Sequence, residues 1–340
     1  MAKRIEWLDI VKGVAIMGVV LQHTFQRLMT YYNLSDDVVL NYLNKLIVSC
    51  NMELFFVVSG IIFFLQRKKY QDDPKWFIKT RFIDLIIPYL ILGPVIWLGK
   101  FTLSSFVKNQ VTIDGLYDMF ITPIAFMWFI YVLFFIEVFA LAIDRWAKGK
   151  YIVPIVVLFA VSFSTQFCKF GNPADIYHRV PYYLFWYYLG GMMVLFKDKL
   201  TCLGKPKVTL TLGVLWIGTY TFGFVETLGV FGMIKSSLGV AFWISLYRDK
   251  ELQSAANKAF HYLGKRTMYI YILNPLAING MWQIINKLFG GGQIWATGLC
   301  FIFGTLLITC AIANIAPKIP PLEFVFSPRK YLIKKTYIHG

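Results

Sequence analysis

Histidine is the side chain whose unperturbed pKa lies closest to neutrality, so an imidazole inside an apolar segment is the natural starting point for acid–base chemistry. Residues 8–26 read LDIVKGVAIMGVVLQHTFQ and carry Asp9, Lys12, Gln22 and His23 in an otherwise apolar run. On a helix, Lys12 and His23 are three turns plus about 20° apart, which puts them on one face about 16 Å apart along the axis. Asp9 and Arg27 lie within about a turn of the same stripe. The stripe therefore joins a cation near one end to an imidazole able to take a hydroxyl proton. The plainer readings are interfacial anchoring for Asp9 and Lys12, and an interhelical hydrogen bond for His23.

The next segment, NMELFFVVSGIIFF, places Glu53 at a depth similar to that of His23 if the two helices run in opposite directions. A carboxylate there would fix the imidazole tautomer and stabilise its protonated form; pairing with Lys45 is the alternative. Ser59 and Gly60 lie deeper, where the pair permits close backbone approach and Ser59 has no base at its level. The basic stretch QRKKYQDDPKWFIKTR brings Lys75, Lys79 and Arg81 to one mouth of the bundle, where cations meet anionic lipid or a phosphorylated cosubstrate. Glu137 sits among aromatics in MWFIYVLFFIEVF, and Asn274–Pro275 puts an amide and a missing backbone donor inside an apolar helix. His178, Arg179, His261 and His339 fall between apolar runs and read as solvated.

These residues need a membrane bundle to position them. The chain has 340 residues, 58% hydrophobic, 18% aromatic and 15% charged, with a mean hydropathy of +0.60, outside the range of soluble domains. Apolar blocks suggest ten helices at 10–29, 45–65, 82–99, 119–143, 151–168, 180–196, 208–224, 229–247, 267–287 and 293–315. The fold class is all-α and polytopic, with one transmembrane domain over residues 1–340. With the N-terminus in the cytoplasm, 26 of the 34 Lys and Arg fall on the inner side, which fits both termini being cytoplasmic. The net charge of +16 is then topological, and a nucleic-acid partner is not expected. The five cysteines, Cys50, Cys168, Cys202, Cys300 and Cys310, show no paired spacing, so neither a disulfide framework nor a metal site is expected. No small-x-small pattern follows the first helix, which is expected to be retained.

Taken together, these stretches resemble the acyltransferase 3 family of membrane proteins in its short form, without a fused extracytoplasmic domain. RIEWLDIVKGVAIMGVVLQH is similar to a helix pattern of basic residue, ten residues, then histidine, and MELFFVVSGIIF to an FFxxSG segment. KTRFIDLIIPY, MWFIYVLF, PYYLFWYYLGGM and YLGKRTMYIYILNP follow in family order, so the likeness spans about residues 4–280. The resemblance implies a multi-pass O-acetyltransferase of the bacterial cytoplasmic membrane, moving acetyl from cytoplasmic acetyl-CoA to a hydroxyl of a carbohydrate or glycolipid. Membrane lipids and a second copy of the chain are its other compatible partners. It implies a catalytic role for His23 and donor-side roles for Lys12 and Arg81; the residue reading adds Glu53 beside the imidazole, and Lys79 and Ser59 as donor-side candidates. Three positions depart from the pattern: Lys12 stands where arginine is frequent, Asp84 where a second arginine of R-x-x-R is expected, and Asn274 where histidine is common. The competing readings are a carrier in which His23 and Glu53 form a proton relay, and an inactive relative serving as an assembly partner.

Overall fold

The computed structural model describes residues 5–102, 114–167, 172–221, 229–290 and 292–333. The expectations for Lys3, Arg4, Cys168, Lys334, Lys335, His339 and the GFVETLG turn lie outside the described residues. Among the described residues the regular elements are helical: α1 Glu6–Tyr31, α2 Val38–Val48, α3 Asn51–Leu65, α4 Arg67–Asp72, α5 Pro74–Arg81, α6 Ile87–Thr102, α7 Asp114–Asp118, α8 Trp128–Ala147 and α9 Ile152–Thr165. They continue as α10 Ile176–Leu195, α11 Pro206–Thr221, α12 Gly229–Tyr247, α13 Ala255–Gly264, α14 Thr267–Phe289, α15 Ile294–Ile315, α16 Pro320–Phe326 and α17 Arg329–Leu332. A π-helical turn, Phe82–Ile86, joins α5 to α6. Among the described residues, four stretches, Glu6–Tyr31, Val38–Leu65, Pro74–Thr102 and Ile294–Lys318, are long and apolar enough to cross a membrane. At 26 residues, α1 rises about 39 Å and exceeds a hydrocarbon core of about 30 Å.

Each expected apolar block carries a helix, with differences that have local causes. The second block is split, because α2 ends at Val48 and α3 starts at Asn51. The third begins earlier, at Pro74, where Asp73 accepts a hydrogen bond from the Trp76 amide at 2.9 Å and proline occupies the first turn. The fourth begins later, at Trp128, because residues 119–127 form turns tied down by Tyr89, whose hydroxyl donates to Met119 O and accepts from the Ile124 amide. Two polar, basic segments between the apolar blocks, residues 66–81 and 247–267, are largely helical: α4 and α5 occupy the first, and α13 the second. For α13 the cause is a Ser254 cap, which accepts from the Asn257 amide at 3.0 Å, ahead of an amphipathic run.

The helices group into two compact units. The first comprises residues 1–64 and 186–314. In it, α1 is the central strut, packed on α13, α2, α14 and α12, and Leu28, Ile278 and Phe301 form a fully buried cluster joining α1, α14 and α15. Glycines set the closest crossings. A Cβ on Gly60 would lie 1.8 Å from Tyr187 O and one on Gly190 2.1 Å from Val57 O, so the SG pair of α3 serves a backbone-to-backbone contact with α10.

The second unit comprises residues 65–185 and 315–340. There α4 is held to the end of α8: Gln71 donates to Asp144, Arg145 donates to Gln71 O at 3.0 Å, and Arg67 stands 3.5 Å from Asp144. The C-terminal α16 lies against α6, and α17 against the π-helical turn.

Candidate active site

α1 is buried on nearly every side from Leu8 to Val20, whereas beyond Val20 only Thr24 and Leu28 are fully buried. His23 lies in that less enclosed part of α1, half-buried, with the Gln26 side chain hydrogen-bonded to it and the Arg27 cation beside it. At the other end of the track, Lys12 Nζ is 2.6 Å from Asp9 Oδ1, and His261 Nε2 is 3.9 Å from Asp9 Oδ2. Asp9 is only 3% exposed, so it is the buried anchor of a Lys12–Asp9–His261 cluster rather than an interfacial residue. The expectation that His261 is solvated is corrected: α13 carries its imidazole onto α1. The two helices approach so closely that a Cβ on Gly13 or Gly264 would lie 1.8 Å from Phe260 O or Asp9 O.

Glu53, 6% exposed, lies in the first turn of α3. The groups acting electrostatically with it include Cys50 and Tyr220, whereas those acting on His23 are Gln26 and Arg27; the structure does not bring the Glu53 carboxylate onto the imidazole. Ser59 is half-buried one residue before the Gly60 crossing. In the second unit Lys79 is exposed, while Arg81 Nε meets Glu137 Oε2 at 3.1 Å and its guanidinium lies over Phe77 and Tyr70. Glu137, which no local pattern explains, is thus the counter-ion of Arg81. The Asp84 departure also acquires a partner: Arg329 Nε donates to Asp84 Oδ1 at 2.9 Å, and its terminal nitrogen pairs with Oδ2.

Several chemically active groups escape sequence reasoning. Lys235, 2% exposed in α12, has its Nζ 4.8 Å from the centre of the Tyr220 ring; its position well inside an apolar helix was the available signal. His178 is 9% exposed, which corrects its reading as solvated. It neighbours Asp175, where burial opposes ionisation but hydrogen bonds from Thr122, Tyr177 and the Asn172 amide, together with His178, hold the carboxyl below the usual range. Arg179 stacks 4.2 Å above Trp128, which itself stacks on Tyr183. Asn274 is fully buried, and neither of its side-chain polar atoms has a hydrogen-bond partner among the described residues. An open cleft of about 690 Å³ is lined by Ile5 to Trp7 and Asp249 to Gln253. With Glu6, Asp249 and Glu251 in its wall it is unsuited to phosphate.

The arrangement on α1 can do base chemistry. A half-buried imidazole, oriented by a neighbouring amide, can accept a proton from a hydroxyl brought against it. No curated protein and no solved structure matches the chain. A family model does: that of the Acyltransferase domain matches residues 5–314, so the chain, a multi-pass membrane protein, belongs to the acyltransferase 3 family.

Proposed function

We propose that this acyltransferase moves an acetyl group from acetyl-CoA to a hydroxyl of a carbohydrate or glycolipid, with His23 as general base. The observation that carries the reading is the position of His23. It is the one histidine within the four long apolar helices, half-buried, and hydrogen-bonded to Gln26. In the proposed step His23 takes the proton of the acceptor hydroxyl while its oxygen attacks the thioester carbonyl. The C–S bond then breaks, and the proton passes to the departing thiolate, giving ester and free CoA. Arg27 places a cation one turn along from the base, near where negative charge develops on the carbonyl oxygen.

Lys12, Ser59, Lys79 and Arg81, each taken by itself, are proposed as donor-side residues on the strength of the resemblance and of their place in the sequence. Glu53 enters the proposal as a buried charge of the unit that holds His23, not as a hydrogen-bonded partner of the imidazole. The cytoplasmic placement of both termini and of the donor rests on the distribution of Lys and Arg.

Purified protein given labelled acetyl-CoA and glycolipid from the producing membrane should form base-labile ester and one free thiol per ester. A carrier would move substrate and release no thiol.

A further inference from the structure

Asp84 follows Arg81 by three residues, on the π-helical turn that joins α5 to α6. Its carboxylate receives Arg329 from α17, 245 residues away in sequence. The short C-terminal segment is itself fixed by Glu323, which accepts from Lys330 and from the Tyr331 hydroxyl at 2.7 Å. A segment of two short helices is thus pinned so that the Arg329 guanidinium meets Asp84, three residues along from Arg81. Arg329 acts electrostatically with both Arg81 and Tyr70, and Arg81 Nη2 is 3.5 Å from the Tyr70 hydroxyl.

Like charges repel, and each here is paired with a carboxylate, Glu137 for Arg81 and Asp84 for Arg329. Arginine has five N–H donors in a planar fork. The contact with Asp84 engages one edge of Arg329. The side chains are 23% exposed for Arg81 and 38% for Arg329, so both remain reachable, and exposed Lys79 stands nearby in sequence. Paired, partly desolvated guanidinium forks suit the oxygens of a phosphate ester.

We propose that Arg81 and Arg329 form a phosphate-ester site within the second unit, in which the C-terminal segment supplies the cation that Asp84 denies to the helix. The assignment of that phosphate to the acyl-CoA donor rests on the function proposed above. Arg329 is then a donor-binding residue, and Asp84 is the residue that positions it.

The test is CoA binding to the full-length protein in nanodiscs of zwitterionic lipid, by calorimetry, for the parent, Arg329→Ala, Arg329→Lys and the double variant Asp84→Arg/Arg329→Ala. Arg329→Ala should weaken CoA about tenfold or more, the loss expected for one charge-assisted hydrogen bond. Arg329→Lys should retain part of the affinity, and the double variant, which moves the cation onto the helix, should regain most of it. Unchanged CoA affinity in folded Arg329→Ala, with no lipid released, overturns the proposal. So does equal loss in Arg329→Ala and the double variant, because a structural strut is broken in both. If instead Arg329→Ala leaves CoA affinity intact but releases phosphatidylglycerol from discs containing it, as read by native mass spectrometry, the phosphate belongs to a lipid headgroup and the donor assignment is overturned. A parent that binds no CoA overturns the acyl-CoA reading itself, an outcome distinct from a parent that binds CoA without using Arg329.

Discussion

Replacing Gly264 with alanine tests the seam that carries His261 and Phe260 onto α1. The added Cβ would lie 1.8 Å from Asp9 O, where ordinary contacts begin at 3.4 Å, so the two backbones must part by about 1.6 Å. The obstructing atom belongs to the backbone of α1, so no rotamer change can relieve the overlap. Overpacking of this kind costs about 1–3 kcal/mol or more, and the shift also draws His261 away from Asp9, now 3.9 Å distant. Thermal unfolding in detergent, followed by tryptophan fluorescence, should show a clear loss of stability. Gly280→Ala is the control: nothing lies within 4 Å of its added methyl, and removing a mid-helix glycine should stabilise by about 0.5–1 kcal/mol. A Gly264→Ala protein that unfolds at or above the parental temperature would refute the close α1–α13 contact.

Three further outcomes follow from the same structure. Arg81→Ala leaves Glu137, 4% exposed, without its counter-ion and should cost about 3 kcal/mol; Arg81→Met with Glu137→Leu should recover much of that, and purely additive losses in unfolding experiments would argue against the pair. Asn274→Leu removes two buried polar atoms that have no partners among the described residues and should raise stability by about 1–3 kcal/mol, a gain that a lowered melting temperature would exclude. Because the Asp175 carboxyl is held below its ordinary range, its stabilising contribution is present above the unfolded value near about 4 and fades as pH falls through the lower folded value. Asp175→Asn should therefore be less stable than the parent at neutral pH and converge with it in acid; parallel melting curves across that range would contradict the assignment.

The helices were legible because apolar blocks of membrane-spanning length leave few alternatives, and the face shared by Lys12 and His23 followed from helical arithmetic alone. What the chain hid was mostly long-range pairing. Glu137 looked isolated because its partner Arg81 lies on another helix, and Asp84 read as a missing cation because Arg329 returns from the far end of the sequence. His261 was read as solvated because a basic, polar segment resembles a loop until the Ser254 cap and the small residues Gly13 and Gly264 are considered together. The expected contact of Glu53 with His23 rested on equal depth, which says nothing about rotation. In the folded unit the charge nearest the imidazole in sequence, Arg27, is the one that acts on it.

The most direct test of the account is the rate of acetyl transfer by purified His23→Gln, measured with labelled acetyl-CoA and acceptor glycolipid beside the parent at matched CoA affinity and melting temperature. Loss of a general base should lower the rate about 10² to 10⁴-fold while both controls stay at parental values. Transfer at the parental rate by the folded variant would contradict His23 as the base.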